Sequence, residues 1–203
     1  MKKLLVLLFS LFFLSSPSVF ADDISDFQIE GMSIGDSLLD YMTEEEILEE
    51  IEITKNHYSY LNEPNKYAEV YLFANLQRYD SIGFLIKNTA TSQYVTNKNE
   101  EYTIFSIRGL IDFNHDFDGC LQKRNEIAQD LSKLFSNVQK LDNYYVSSDQ
   151  TITDKVYFEF SSGNRVEVSC IFYDETRRVE NNWINNLSVS IDKKEIISWL
   201  QDQ

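Results

Sequence analysis

The chain has 203 residues, of which 33 are acidic and 18 basic, so its formal net charge is −15 at neutral pH. A surface with this excess of negative charge repels nucleic acids and anionic membranes, and the sequence predicts a partner of neither kind. Aromatic residues are frequent, and there are only six glycines and two prolines. This composition is typical of a folded globular protein and not of a disordered one.

The first 21 residues have the pattern of a secretory signal peptide. Lys2 and Lys3 precede the apolar run Leu4–Leu14, and Val19 and Ala21 are small residues suited to the −3 and −1 positions of a cleavage site. The run is about half as long as a bilayer span requires. We therefore expect cleavage after Ala21, export to the periplasm or the extracellular medium, and no membrane insertion after cleavage.

Removal of residues 1–21 would leave a mature chain of 182 residues, 22–203, with 16 basic and 33 acidic side chains. This length suits one domain with a sizeable core. Residue 22 is an aspartate, so the cleaved chain would lack the N-terminal cysteine that a lipid anchor needs. The sequence predicts an exported chain made of a single α+β domain.

The N-terminal part of the mature chain predicts two short helices. The turn over residues 31–35 leads into the first, with Asp36 as its expected N-cap. Thr43 and Glu46 have the spacing of a capping box and begin the second. The apolar face of that second helix is expected to hold Ile47, Leu48 and Ile51.

Seven strands and two further helices follow. Alternating apolar residues predict strands over 68–76, 81–86, 103–113 and 143–146, and strands carrying Val156, Cys170 and Val189. A polar loop is expected over 88–99, the main helix over 116–135 and a closing helix over 196–200. Short turns join most strands, so the predicted class is α+β: a largely antiparallel sheet packed against a main helix, with short N-terminal helices and a C-terminal helix.

Cys120 and Cys170 are the only cysteines. Cys120 shares one helix face with Ile127, Leu131 and Leu134, and Cys170 lies on the apolar side of an alternating strand. Both thiols should therefore point into the core where the helix packs on the sheet. Because export leads to an oxidising compartment, we expect a structural Cys120–Cys170 disulfide, with two free buried thiols and a redox-active pair as the alternatives.

Residues 35–38, Gly-Asp-Ser-Leu, spell the signature of the GDSL esterases and lipases, in which the serine is the nucleophile. Residues 112–115 match the Asp-x-x-His that supplies the base in that family. In the family a buried strand leads into the serine and the Asp-x-x-His lies near the C-terminus, whereas here neither condition holds. We expect Ser37 to lie in the first turn of a helix and predict no catalytic residue; a hydrolase using Ser37 is kept as an alternative.

Residues 114–119 are similar to the start of a calcium loop, with oxygen ligands at alternate positions and glycine at the sixth. The first position is Asn114 where Asp is usual, and the twelfth is Asn125 where a bidentate Glu is needed. A turn with a helix-capping aspartate is the expected structure. His57 and His115 lack the spacing of a zinc site. The sequence predicts no metal ligand and no cofactor.

Residues 27–38 resemble the opening of small exported domains of the BamE and β-lactamase-inhibitor-protein group. The resemblance implies a glycine turn, two short helices and an antiparallel sheet, in a binding domain without enzymatic activity. The whole chain also resembles small exported bacterial proteins that carry no assigned activity.

These observations together favour an exported, soluble, non-catalytic binding or envelope-support module, with a protein of the cell envelope as a possible partner. Besides the hydrolase using Ser37, a second alternative is a periplasmic protein that binds a small ligand in a pocket lined by tyrosines and phenylalanines.

Overall fold

A seven-stranded sheet is the centre of the computed structural model, which describes residues 24, 27–57, 59–61, 66–87 and 102–202. The predicted signal peptide, 1–21, and the predicted polar loop, 88–99, lie outside these residues. The described elements are, in chain order, a 3-10 turn Leu38–Asp40, α1 Glu44–Thr54, a 3-10 turn Ser59–Leu61, β1 Tyr67–Leu72, β2 Ser81–Lys87, β3 Ile104–Asp112, α2 Phe117–Leu134, β4 Gln139–Val146, β5 Ile152–Glu159, β6 Arg165–Phe172, α3 Glu175–Glu180, β7 Asn186–Asp192 and α4 Lys194–Gln201.

The strands lie in the order β1-β2-β3-β7-β6-β5-β4, and all six neighbouring pairs are antiparallel. Two three-stranded meanders, β1–β3 and β4–β6, are thus joined by β7, which is the last described strand along the chain and lies between them. The predicted α+β class with an antiparallel sheet is confirmed. No helix in the described part of the chain is both long and apolar enough to cross a bilayer.

One face of the sheet is apolar and buried. Side chains such as Phe84, Ile107 and Val168 point to this face and form one core with the N-terminal segment and α2. Helix α2 packs across β5, β6 and β7. Burial of this face against α2 supplies the hydrophobic stabilisation of the fold.

A disulfide joins α2 to β6. Cys120 and Cys170 are both fully buried, their Cα atoms lie 6.0 Å apart, and the bond closes a loop between residues separated by 50 positions. The expected pairing is confirmed. Leu134, expected on the same helix face as Cys120, is instead 53% exposed, because it lies in the last turn of α2, where the helix ends.

The two N-terminal helices differ from expectation in one cap. Ser37, and not Asp36, is the N-cap of the 3-10 turn, because its Oγ accepts a hydrogen bond from the Leu39 amide at 3.3 Å. Asp36 instead accepts a hydrogen bond from the Ser33 amide at 2.8 Å and closes the preceding turn. The capping box of Thr43 and Glu46 is present in α1. Leu48, expected on its buried face, is 47% exposed.

The strand bounds differ at both edges of the sheet. Strand β1 ends at Leu72 and does not reach residue 76, because Asn75 adopts a left-handed backbone conformation with φ of 62° that ends the extended chain. Strand β4 has eight residues where a short strand over 143–146 was expected. Helix α3 was not predicted; it begins at an N-cap, Asp174, whose carboxylate accepts from the Thr176 and Arg177 amides.

The two edge strands are in different environments. Helix α1 covers the free edge of β1: the Thr54 hydroxyl donates to the Glu69 carbonyl at 2.6 Å, and the Glu50 carboxylate accepts from the Tyr71 amide at 3.2 Å. Strand β4 pairs with β5 alone among the described strands, and nearly all its residues are exposed.

The double variant Cys120→Ala/Cys170→Ala should be less stable than the wild type by about 4 kcal/mol, the chain-entropy value for a loop of this size. Urea unfolding followed by circular dichroism, with and without reductant, measures this. Reductant should destabilise the wild type and leave the variant unchanged. A wild type that is indifferent to reductant after unfolding and refolding would contradict a stabilising role of the bond.

Candidate functional site

The second face of the sheet is polar, and it carries a cleft of about 530 Å³. Helix α4 forms one wall through Ile197 and Leu200, and Tyr60 and Tyr145 lie at the rim. A second cavity of about 520 Å³ lies further along the same face and shares Arg108 and Ile171 with the first. We call the two neighbouring cavities together the sheet-face cleft.

Small side chains form the floor of the sheet-face cleft. The central strands β2, β3, β7 and β6 present to it Gly83, Ser106, Ser188, Ser190 and Ser169. In the register of the sheet, Ser188 lies opposite Ser169, and Gly83 lies opposite Arg108. Because the middle of the sheet is lined by small groups and its flanks by long ones, the surface is concave.

A hydrogen-bonded network lies on the β1 side of the cleft. The Arg108 guanidinium donates to Glu69 Oε1 at 2.9 Å and to the Tyr71 hydroxyl oxygen at 3.2 Å, and the Tyr71 hydroxyl donates to the same carboxylate oxygen at 3.0 Å. Arg108 is on β3 and its partners are on β1, so its side chain passes over β2 at Gly83. A Cβ at Gly83 would lie 3.1 Å from the Tyr71 ring, so the absence of a side chain there makes room for the network.

A second ion pair lies on the opposite side of the cleft. Lys155 Nζ of β5 lies 3.0 Å from Glu167 Oε2 of β6, and each side chain is 19% exposed. Burial raises the pKa of Glu167 above its ordinary value, and the nearby Lys155 opposes that effect. Arg165 stacks its guanidinium on the Tyr157 ring, 4.4 Å from the centroid.

A carboxylate lies between the two ion pairs. Asp192 of β7 accepts hydrogen bonds from the Ser106 hydroxyl at 2.5 Å and from the Ser190 hydroxyl at 2.7 Å. Two serines on neighbouring strands therefore hold one aspartate at the floor of the cleft. The hydroxyls stabilise its charge in a partly desolvated position.

The charges of the first part of the cleft cancel. Three carboxylates, Glu69, Glu167 and Asp192, face three cations, Arg108, Lys155 and Arg165. This balance contrasts with the net charge of −15 of the whole chain. The cleft is thus a locally neutral surface rich in hydrogen-bonding groups on an acidic protein.

Three residues that line the cleft each have one buried polar atom, with less than 1 Å² of accessible surface, that has no hydrogen-bond partner in the described part of the chain. They are Glu69 Oε2, Arg165 Nε and Asn186 Oδ1. Glu69 is only 5% exposed, so its second oxygen is a desolvated acceptor next to a cavity. A buried polar atom without a partner costs roughly 1–3 kcal/mol of stability.

The residues of the GDSL-like motif are not brought together. Ser37 pairs in a bridge with Thr103, just before β3, whereas His115 is exposed just beyond the other end of that strand. A strand of this length separates the two by roughly 30 Å. The Ser37 hydroxyl is occupied as a helix cap. This geometry gives no support to a nucleophile at Ser37.

The calcium-like segment begins a helix. Asp116 Oδ1 accepts a hydrogen bond from the Gly119 amide at 2.9 Å and is the N-cap of α2, as expected for a capping turn. Across the described part of the chain, no group of three or more His, Cys, Asp or Glu side chains is placed to hold a metal ion.

The pocket lined by tyrosines and phenylalanines, which the sequence suggested as an alternative, is found only in part. Most phenylalanines are in the buried core on the opposite face. Tyr60 and Tyr145 line the first part of the sheet-face cleft, and Phe73 and Trp183 line the second. Sequence reasoning missed the polar floor, because the serines of β6 and β7 have the alternating pattern of an ordinary solvent-facing side. The signal in the sequence that could have indicated this floor is the small size of successive outward-facing residues.

The chain matches no known family model, and it shows no significant similarity to a curated protein or to a solved structure. The resemblance to the BamE and β-lactamase-inhibitor-protein group therefore stays a prediction.

Lys155→Met should make stability strongly pH-dependent. Without its cation, Glu167 should have a pKa raised further in the folded state, so stability is full below the ordinary pKa of 4.5 and is lost as the pH rises through the raised value. We expect the free energy of unfolding to fall by about 2 kcal/mol at pH 8, which lies between the values for exposed and for buried ion pairs. At pH 4 it should fall little.

Urea unfolding at several pH values measures this effect, and Lys155→Met/Glu167→Gln is the matched control. The double variant should lose the extra pH dependence, because it has no buried carboxylate left unpaired. If Lys155→Met lowered the free energy of unfolding equally at pH 4 and pH 8, the Lys155–Glu167 pair would not act through charge.

Proposed function

We propose that this chain is an exported, non-catalytic binding protein and that the sheet-face cleft is its ligand site. The observation that carries the proposal is the concave polar surface, charge-balanced in its first part, on the sheet face that α2 leaves uncovered. Desolvating a carboxylate is unfavourable, so carboxylates at the floor of a cavity are not expected on a surface that only contacts solvent. Ligand sites commonly combine a concave shape with a few convergent polar groups.

The chemistry of the cleft supports binding over catalysis. A serine nucleophile needs a neighbouring base that takes its proton, most often a histidine. The residues that line the first part of the cleft include no histidine or cysteine, and the histidine of the second part, His57, has no hydrogen bond to a serine among the described residues. Its one lysine, Lys155, is held by Glu167, and the hydroxyls of Ser106 and Ser190 donate to Asp192. Each group is thus arranged to hold a polar ligand in place.

Export is supported by two features of different kinds. The first 21 residues have the pattern of a signal peptide, and the described part of the chain contains an intramolecular disulfide. Disulfides of this structural kind form and persist outside the reducing cytosol.

A C-terminally tagged chain, expressed in a bacterial host, should be recovered from the periplasmic extract or the medium with Asp22 as its first residue. N-terminal sequencing and intact mass measure this. Ala21→Phe should leave the leader attached, because the residue before the cleavage site must be small. Recovery of the intact 203-residue chain from the cytosol would contradict export.

Ser188→Trp should abolish ligand binding by filling the middle of the cleft. Ser188 is 3% exposed at the floor, and its side chain faces the cavity, so a large substituent can enter open space. Thermal unfolding is measured with millimolar panels of sugars, amino acids, organic acids and amines. At least one class should raise the midpoint of the wild type by several degrees and leave that of the variant unchanged.

Ser161→Trp is the matched control, since Ser161 is exposed in the turn between β5 and β6. It should respond to the panels like the wild type. If no compound shifts the wild type, or if the shift persists in Ser188→Trp, the cleft is not the site and the proposal fails.

A further inference from the structure

We infer that the second cavity of the sheet-face cleft binds a small organic cation, whose ammonium group is held by aromatic rings and by the Asp112 carboxylate. This inference rests on the proposed function and names the charge class of its ligand. The cavity, of about 520 Å³, lies at the end of the sheet where β3 and β6 end and β7 begins. Its rings, its carboxylate and the neighbours of its basic side chains each bear on the inference.

Four aromatic side chains line this cavity in two packed pairs. Tyr71 of β1 and Phe73, just beyond it, stack with their ring centroids 6.0 Å apart, and Phe73 is 66% exposed. Tyr173, just after β6, and Trp183, just before β7, pack with their centroids 4.7 Å apart. The faces of such rings attract cations, tryptophan most strongly. Their apolar surface favours a cation that carries alkyl groups.

Asp112 brings a negative charge to this cavity. It is the one carboxylate among the described residues that line the cavity, and it is exposed, so a ligand can reach it. The Asp80 carboxylate accepts from the Asp112 amide at 2.8 Å and adds a second negative charge nearby. Partial desolvation and the Asp80 charge raise the pKa of Asp112 above its ordinary value. A bound cation would offset both effects.

The register of the sheet places one pair of rings at the same end as this carboxylate. Ile171 of β6 lies opposite Asn186 of β7, and Asn186 lies opposite Asp112 of β3. Tyr173 follows Ile171 closely along the chain, and Trp183 closely precedes Asn186. The carboxylate and these two rings therefore belong to one end of the sheet.

The two basic side chains that line this cavity each lie near a carboxylate of their own. The Arg108 guanidinium donates to Glu69 at 2.9 Å, and it belongs to a residue roughly 13 Å before Asp112 along β3. His57 interacts electrostatically with the Glu50 carboxylate. Among the described residues, no cation forms an ion pair with Asp112. The charge left to a ligand is therefore negative, and it favours a cation over an anion.

Calorimetry on the disulfide-bonded protein tests the inference with two cations and their uncharged counterparts. Choline is compared with dimethylbutanol, its isostere with carbon in place of the charged nitrogen, and butylammonium is compared with butanol. At least one cation should bind about tenfold more tightly than its counterpart, because the carboxylate and the ring faces attract only the charged form. Its binding should also change the fluorescence of Trp183.

Asp112→Asn should weaken binding of the cation about tenfold and leave the weaker binding of its counterpart unchanged, because it removes the charge at nearly constant shape. Asp130→Asn, at an exposed position on α2, is the matched control and should bind like the wild type. Phe73→Ala should weaken cation binding severalfold, and the exposure of Phe73 leaves the fold intact.

The same ammonium group occurs in free cations and in lipid headgroups, and vesicles distinguish the two sources. If phosphatidylcholine vesicles sediment with the wild type and not with Asp112→Asn, the source is a headgroup. If choline binds and the vesicles do not, the source is a free cation. Either result supports the inference.

The variants decide whether the cation binds as inferred. Binding of choline, of butylammonium or of an amine from the thermal panels supports the inference if Asp112→Asn and Phe73→Ala weaken it. The inference is overturned if the uncharged counterparts bind as tightly as the cations, or if Asp112→Asn binds the cation like the wild type.

Ser188→Trp separates a failure of this inference from a failure of the proposed function. Ser188 lies opposite Leu110, which lines the second cavity, so the indole should block a cation there as well. A thermal shift caused only by compounds without a net positive charge, and blocked by Ser188→Trp, overturns the cation inference and leaves the proposed function standing. No binding by any compound in either experiment overturns both.

Discussion

The bond between Cys120 and Cys170 ties the main helix to the apolar face of the sheet, on which the helix packs. Both cysteines lie in the core, one on α2 and one on β6, so α2 is fixed across β5, β6 and β7 on the apolar side. The N-terminal segment completes the cover of that side. The opposite face is left to small polar residues, and its one helical wall is α4. The disulfide and the apolar core thus lie on one face of the sheet, and the cleft lies on the other.

The shape of the open face depends on its small residues as much as on its charged ones. Gly83 has no side chain, and this lets Arg108 of β3 reach the carboxylate of Glu69 on β1. The serines of β7 leave space above the sheet and hold Asp192 between two ion pairs. The large groups are fixed by one another before a ligand arrives. Such preorganisation reduces the entropy that binding would otherwise cost.

Regular alternation made most of the fold predictable from the sequence. The strand order along the chain, the main helix, the capping box at Thr43 and the pairing of the two cysteines all follow from local patterns. Patterns of this kind do not report tertiary neighbours, so the exposure of Leu48 and the cap at Ser37 were wrongly assigned. The cleft was missed for the same reason. Glu69, Arg108 and Asp192 are on three strands that are distant in the chain, and only the sheet register brings them to one surface.

The two edges of the sheet have a consequence for self-association. Helix α1 seals the edge at β1 through Thr54 and Glu50, whereas β4 presents its outer backbone groups to solvent. Exposed strand edges can pair with another chain. In the described sheet β4 is the one edge left open, so pairing of β4 with β4 would form a two-fold dimer and then stop, because the described sheet has no second open edge from which a fibre could grow. The net charge of −15 opposes even this step at low ionic strength, and salt weakens the opposition by screening it.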